Sequence, residues 1–201
     1  SSDVCSSDLL TEKNNVVFAE FLTEEGNNRQ RPITKVLMNP PFAKPESKLK
    51  EYRFIESALN QMTDEGLLFS VLPTSNMVKQ GMYLNWRKNI LLKNNTLICV
   101  ITFPNDLFYP IGVETCGIVV KKGIPHDYKK NVLWVKIKND GLLKTKGRRL
   151  PNKRAQNDFD RVTDTIKYFI NDPTIQIENI PEFQKACPIE KEDKKIGRAH
   201  V

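Results

Sequence analysis

The chain has 201 residues, 39% of them hydrophobic, with 31 Lys and Arg against 24 Asp and Glu, a net charge of +7 and a pI near 9.2. This composition excludes a disordered polypeptide and allows one domain with a real core, or a piece of a larger one. No apolar run approaches the ~20 residues of a membrane span and no charged-then-apolar leader opens the chain, so a cytoplasmic protein without membrane contact is expected.

The basic balance favours a polyanionic partner such as nucleic acid, although ribosome-bound or merely soluble basic proteins share it. Cys5, Cys99, Cys116 and Cys187 form no C-x-x-C pair, and His126 and His200 stand far apart. No metal or disulfide chemistry is expected; Cys99 and Cys116 lie in apolar runs, as small buried hydrophobes do.

The two ends read as foreign. "SSDVCSSDLL" nearly duplicates Ser-Ser-Asp, "KIGRAHV" closes the chain, and both resemble in-frame translations of sequencing-adapter DNA rather than ordinary termini. Residues 1–9 and 196–201 are therefore set aside as non-native, which makes the reading frame a fragment. Without Arg198, Asp3 and Asp8 the chain keeps 30 basic and 22 acidic residues, a net of +8, so the basic lean belongs to the body. The rest divides into a catalytic part, 10–150, and a C-terminal helical extension, 151–195.

In chain order, residues 16–21 offer a short strand, followed by the basic loop "GNNRQRPIT". "KVLMNPP" is continuously apolar up to Asn39, which suits a strand covered on both faces. Phe54, Ile55, Ala58, Leu59 and Met62 fall at helical spacing, and Gly66 is the expected stop. "LLFSVLP" reads as a second buried strand ending at Pro73. Ser75 is placed to cap a helix carrying Leu84, Trp86, Ile90 and Leu91, and "NNTLICVITFP" returns to a buried strand. Trp86 and Trp134 read as core.

This β-α-β-α-β rhythm predicts a mostly parallel sheet with helices on both faces. The loop from Phe103 to Thr115 is too short for a crossover helix, so Cys116 to Lys121 should pair antiparallel with the strand before it, as the sheet's terminal strand. "NVLWVKI" adds one more strand. Beyond it comes a basic, glycine-dotted stretch, "NDGLLKTKGRRLPNKR". A last helix then aligns Phe159, Val162, Ile166 and Phe169 before Pro173.

"NPPF", "PTSN" and "FPNDLF" all follow strand carboxyl ends, the edge where parallel sheets bind their ligands. Asn-Pro after a strand can be a simple turn. It can also be a catalytic loop. An exocyclic amine on a nucleobase is a poor nucleophile because its lone pair is delocalised; the Asn39 amide oxygen and the Pro40 carbonyl can both accept its hydrogens. Pro40 and Pro41 fix the backbone in advance, and Phe42 offers a flat face to a base taken out of the duplex. Phe108 and Tyr109 could line that pocket or pack on the sheet edge. Lys144, Lys146, Arg148, Arg149, Lys153 and Arg154 could neutralise DNA phosphates or form a solvated loop.

"NPPF" after an apolar strand resembles the catalytic motif of N6-adenine DNA methyltransferases. "EGLLFSVLPTSNM" and "ITFPNDLFYPIGVETCGIVVKK" are similar to the segments that follow it in the methylation subunits of type I restriction-modification systems, and "NDGLLKTKGRR" resembles the end of that domain. The resemblance implies part of a Rossmann-like class I S-adenosylmethionine-dependent methyltransferase sheet, with methyl transfer to adenine N6. It places Asn39 and Pro40 on the target amine, Pro41 in shaping the loop, and Phe42 on the flipped base. Asn39 would also border the cofactor, and Glu20 would lie near the cofactor's adenine, where the family more often has Asp.

It also implies double-stranded DNA as partner, beside separate specificity and restriction subunits. The family's glycine-rich cofactor loop is not found, since no G-x-G occurs in the chain. Two other classes stay open: a protein-glutamine N5-methyltransferase, which faces the same carboxamide chemistry and usually carries Tyr in place of Phe, and a catalytically silent DNA-binding subunit.

Overall fold

The computed structural model describes residues 32–43, 47, 49–109, 111–145, 148–191 and 196. The expected strand at 16–21, Glu20 and Lys146 lie outside the described residues.

The elements run β1 (Ile33–Met38), α1 (Glu51–Gln61), β2 (Met62–Pro73), α2 (Ser75–Val78), then a helical stretch, 82–94. That stretch consists of α3 (Met82–Trp86), a π-helical turn (Arg87–Leu91) and α4 (Leu92–Asn94). There follow β3 (Asn95–Thr102), β4 (Thr115–Lys122), β5 (Val132–Lys136), β6 (Leu142–Thr145), β7 (Arg148–Pro151), α5 (Asp158–Asn171) and β8 (Gln184–Cys187). The large sheet has the order β1-β2-β4-β3-β5-β8, and β6 and β7 form a separate antiparallel hairpin.

β1 and β2 are parallel, as are β3 and β5, while β4 runs antiparallel to both β2 and β3. β1, β2, β3 and β5 therefore point the same way, which makes the sheet mostly parallel and the fold α/β. The antiparallel strand predicted at Cys116 to Lys121 is β4. It does not close the sheet: the chain returns through the 103–114 loop and inserts β4 between β2 and β3. A second antiparallel strand, β8, forms the edge against β5.

β3, β4 and β5 are buried almost throughout because each of their faces is covered. On one face α1 lays Phe54, Ile55, Ala58 and Leu59 against Leu68, Leu72 and Ile118, with Trp86 and Trp134 in the same core. On the other, Val162 and Phe169 of α5 cover Ile98, Leu133 and Val135. Each large apolar side chain so buried stabilises the fold by about 1.5–3 kcal/mol relative to exposure.

Two local expectations are corrected. The first helix ends at Gln61, and Gly66 lies inside β2. Glu65 takes the left-handed backbone there (φ 65°) within an irregularity of the β1–β2 register, and a Cβ on Gly66 would stand 3.0 Å from the Thr34 carbonyl. The glycine serves close strand approach, not a helix stop. Ser75 makes no capping bond to the helix carrying Trp86: it begins the one-turn α2, and α3 restarts after Gly81 (φ 66°). Ile196, set aside with the terminal segment, is buried in the core and donates its N–H to the Met77 carbonyl at 3.0 Å.

Candidate active site

The carboxyl ends of β1, β2, β3 and β5 lie on one edge, so the loops after them meet there. The first is the motif itself. Met38 and Pro40 are buried, Asn39 and Pro41 exposed, and Phe42 half-buried. The Phe42 ring meets Phe108 edge to face, with centroids 5.1 Å apart and planes at 72°. Aromatic rings favour this geometry because a positive edge points at a negative face. The loops after β1 and β3, more than sixty residues apart in sequence, thus build one aromatic wall.

The 103–109 segment is held at its start by the Phe103 N–H on the Thr115 carbonyl (3.1 Å). It is then wound through successive turns, Leu107 to Pro104 (3.0 Å), Tyr109 to Asp106 (3.0 Å) and Ile111 to Phe108 (2.8 Å). These turns present Phe108 towards Phe42 and leave Tyr109 exposed.

The basic residues divide by environment. The Lys144 side chain is only 4% exposed, and its ammonium lies 2.7 Å from Asp106 Oδ1 and 2.9 Å from Asp140 Oδ2. Burial pulls its pKa down, but the hydrogen bonds and charges of Asp106 and Asp140 outweigh it and the net shift is upward. Lys144 is therefore a strut between the hairpin and the Phe108 loop, which corrects the expectation of a phosphate contact there. Arg149 Nη2 donates to the Leu107 carbonyl, a second tie. Arg148 is exposed. Tyr109, Lys144, Thr145, Arg148 and Arg149 line a cleft of about 150 Å³.

Behind the motif, Glu51 is buried and accepts the Ala43 N–H at 2.7 Å on Oε1 and the Asn76 side-chain amide at 3.1 Å on Oε2. Sequence reasoning missed Glu51, Asn76, Asp106 and Asp140. An acidic residue opening a helix just after the motif, and an Asn directly behind a strand-ending Pro-Thr-Ser, were the available signals.

The fold is similar to that of methyltransferase subunits of known structure. The methyltransferase subunit of a type I restriction-modification system from Streptococcus thermophilus superposes with a TM-score of 0.58 at 18% identity, over 84% of this chain and 37% of that one. A modification subunit of a putative type I restriction enzyme from Vibrio vulnificus YJ016 gives 0.53 at 16% identity, over 78% and 34%. The chain thus shares its α/β fold with these proteins.

The sequence narrows this further. The family described as N-6 DNA Methylase matches residues 8–194, and the chain belongs to it. A Type II restriction enzyme and methyltransferase, RM.BcgI of Heyndrickxia coagulans, is 37% identical over 113 residues, 54% of this chain and 18% of that protein. The chain thus spans less than a fifth of that curated relative.

Proposed function

We propose that this chain carries the base-holding half of an adenine-N6 DNA methyltransferase of a restriction-modification system, acting on an adenine swung out of the duplex. The observation that carries the reading is the placement of Asn39-Pro40-Pro41-Phe42 at the carboxyl end of β1, with Phe42 against Phe108. The Asn39 amide oxygen and the Pro40 carbonyl accept the two N6 hydrogens and aim the amine. Phe42 supplies the stacking face, with Phe108 backing it edge-on, an interaction worth about 1–3 kcal/mol per base.

The residues present fit the methyl-giving end of S-adenosylmethionine: Asn39 is an exposed acceptor just past the carboxyl end of β1. When bound, that cofactor supplies an activated methyl group. Attack by the held amine leaves a proton to be lost afterwards, so the chain needs no strong base beside Asn39. Glu20 remains assigned to the cofactor's adenine by resemblance alone.

Arg148 and Arg149, in their cleft beside Tyr109, are assigned to DNA phosphates. Lys146 shares that assignment by its place in the sequence. These arginines favour DNA over a protein glutamine as substrate. The reading puts the protein in the cytoplasm with double-stranded DNA, beside specificity and restriction subunits. No helix among the described residues is long and apolar enough to cross a membrane.

The test uses the product of the whole gene with labelled S-adenosylmethionine and unmethylated bacterial DNA. Label on adenine N6 that falls a hundredfold or more in Asn39→Ala supports the reading, since removing one such polar contact costs about 10²–10³ in rate. Label on a protein glutamine and none on DNA favours the other methylase. Binding of DNA with no transfer at all marks a silent subunit.

A further inference from the structure

Glu51 opens α1 and is only 4% exposed, a rare setting for an acidic side chain. Both of its oxygens are used. Oε1 accepts from the Ala43 N–H at 2.7 Å, the first amide after Phe42, and Oε2 accepts from Asn76 Nδ2 at 3.1 Å. Asn76 is fully buried just beyond β2, and the same Nδ2 also reaches the Pro73 carbonyl at 3.3 Å. The Asn76 carbonyl accepts from Arg87 Nη1 at 2.7 Å, and Arg87 Nη2 donates to the Lys79 carbonyl at 2.9 Å.

Arg87 lies in the π-helical turn with no exposed surface; burial lowers its pKa to about 10, which leaves it charged at neutral pH. π-turns are often kept where a side chain must be re-aimed. An apolar trio would fill this space without the desolvation cost of three buried polar groups. What the polar trio adds is direction: a chain of bonds from the helical stretch, through the loop after β2, to the amide that ends the motif.

We propose that Glu51 is the positioning residue of the catalytic loop. Through the Ala43 N–H it sets where Phe42 stands relative to Phe108, and Asn76 and Arg87 hold Glu51 in turn. Glu51 touches neither base nor methyl donor. This rests on the methylase reading, because its effect is on the aim of Asn39 and Phe42. Misplacement of reacting groups by about an ångström costs about a hundredfold in rate.

The experiment compares Glu51→Leu and Glu51→Gln in the whole-gene product. Gln keeps the volume and one acceptor oxygen for Ala43. Glu51→Leu is expected to lower kcat for adenine methylation about a hundredfold with KM for DNA nearly unchanged, and Glu51→Gln to recover most of the loss. Hydrogen exchange without DNA or methyl donor is expected to quicken at 39–43 in Glu51→Leu while β2 and β3 keep wild-type protection. If Glu51→Leu does not fold, Asn76→Ala, which keeps Glu51 and the Ala43 bond but removes the donor to Oε2 and to the Pro73 carbonyl, carries the same comparison with a loss of about tenfold in kcat. Unchanged kcat, or protection lost evenly across the sheet, overturns the proposal. If the wild type puts no label on DNA adenine, the methylase reading fails, and exchange at 39–43 alone still decides whether Glu51 holds the loop.

Discussion

Gly117 on β4 lies opposite Val71 of β2 and Ile101 of β3, and a Cβ there would stand 2.8 Å from the Phe69 ring and 2.9 Å from the Phe103 ring. Both rings would have to move, and overpacking of this kind costs about 1–3 kcal/mol. Gly117→Ala is expected to lower Tm by several degrees in a thermal melt. Because Phe103 opens the loop that bears Phe108, the same variant should also slow methylation.

His126 offers a different handle. Both ring nitrogens are buried without a hydrogen-bond partner among the described residues, and the ring meets Tyr128 edge-on at 5.2 Å. Burial lowers its pKa below 6.5, with Asp127 opposing the shift. The unfolded chain then binds the proton more readily than the folded one, so stability is full above about pH 6.5 and falls as pH drops towards the lowered folded pKa. Urea melts at pH 7.5 and pH 5 should show the loss, and His126→Phe should shrink it. Cys99 and Cys116 are buried, with the Cys116 thiol pushed up to about 12 and Cys99 higher still. Iodoacetamide should modify neither until the protein unfolds, as a mass-spectrometric time course would show.

At the scale of elements, the β6–β7 hairpin is attached to the rest mainly through polar ties. Lys144 bridges Asp106 in the Phe108 loop and Asp140 at the hairpin's foot, and Arg149 reaches Leu107. Lys144→Met would strand the nearly buried Asp140 carboxyl, and breaking a buried pair costs about 3 kcal/mol or more. The expected result is a loosened hairpin, seen as faster hydrogen exchange at 142–151, and lower methylation with Phe108 less well placed. Arg148→Ala should leave stability alone. Its expected signature is weaker DNA binding on every sequence, with the slope of log K against log salt reduced by about one.

At the scale of the molecule, the segment after residue 150 is more than an appendage. α5 is the cover for Ile98, Ile101, Leu133 and Val135, and β8 closes the β5 edge through the register Val132↔Cys187 to Val135↔Gln184. The Asp158 carboxylate also accepts the Lys138 and Asn139 N–H groups, each at 2.9 Å, which binds the start of α5 to the chain leaving β5. A chain ended at residue 150 would expose that face and an open strand edge together. It is expected to aggregate on expression, where a chain ended at residue 191 stays soluble; size-exclusion chromatography of the two distinguishes them.

Local pattern determined much of this protein. Apolar runs announced the strands, although β1, expected to be covered on both faces, lies at the sheet edge with Leu37 83% exposed; the spacing of Phe54 to Leu59 and of Phe159 to Phe169 announced the two main helices, and Asn39 to Phe42 announced the motif, because periodicity and turn chemistry act between near neighbours. Tertiary structure alone decided the insertion of β4 between β2 and β3, the meeting of Phe42 with Phe108, the burial of Glu51 against Asn76, and the tie of Lys144 to Asp106. Each of these is a contact between residues far apart in the chain. Nothing in a residue's own neighbourhood records which distant side chain will face it, so a lysine bound for two carboxylates and one bound for a phosphate read alike until the chain has folded.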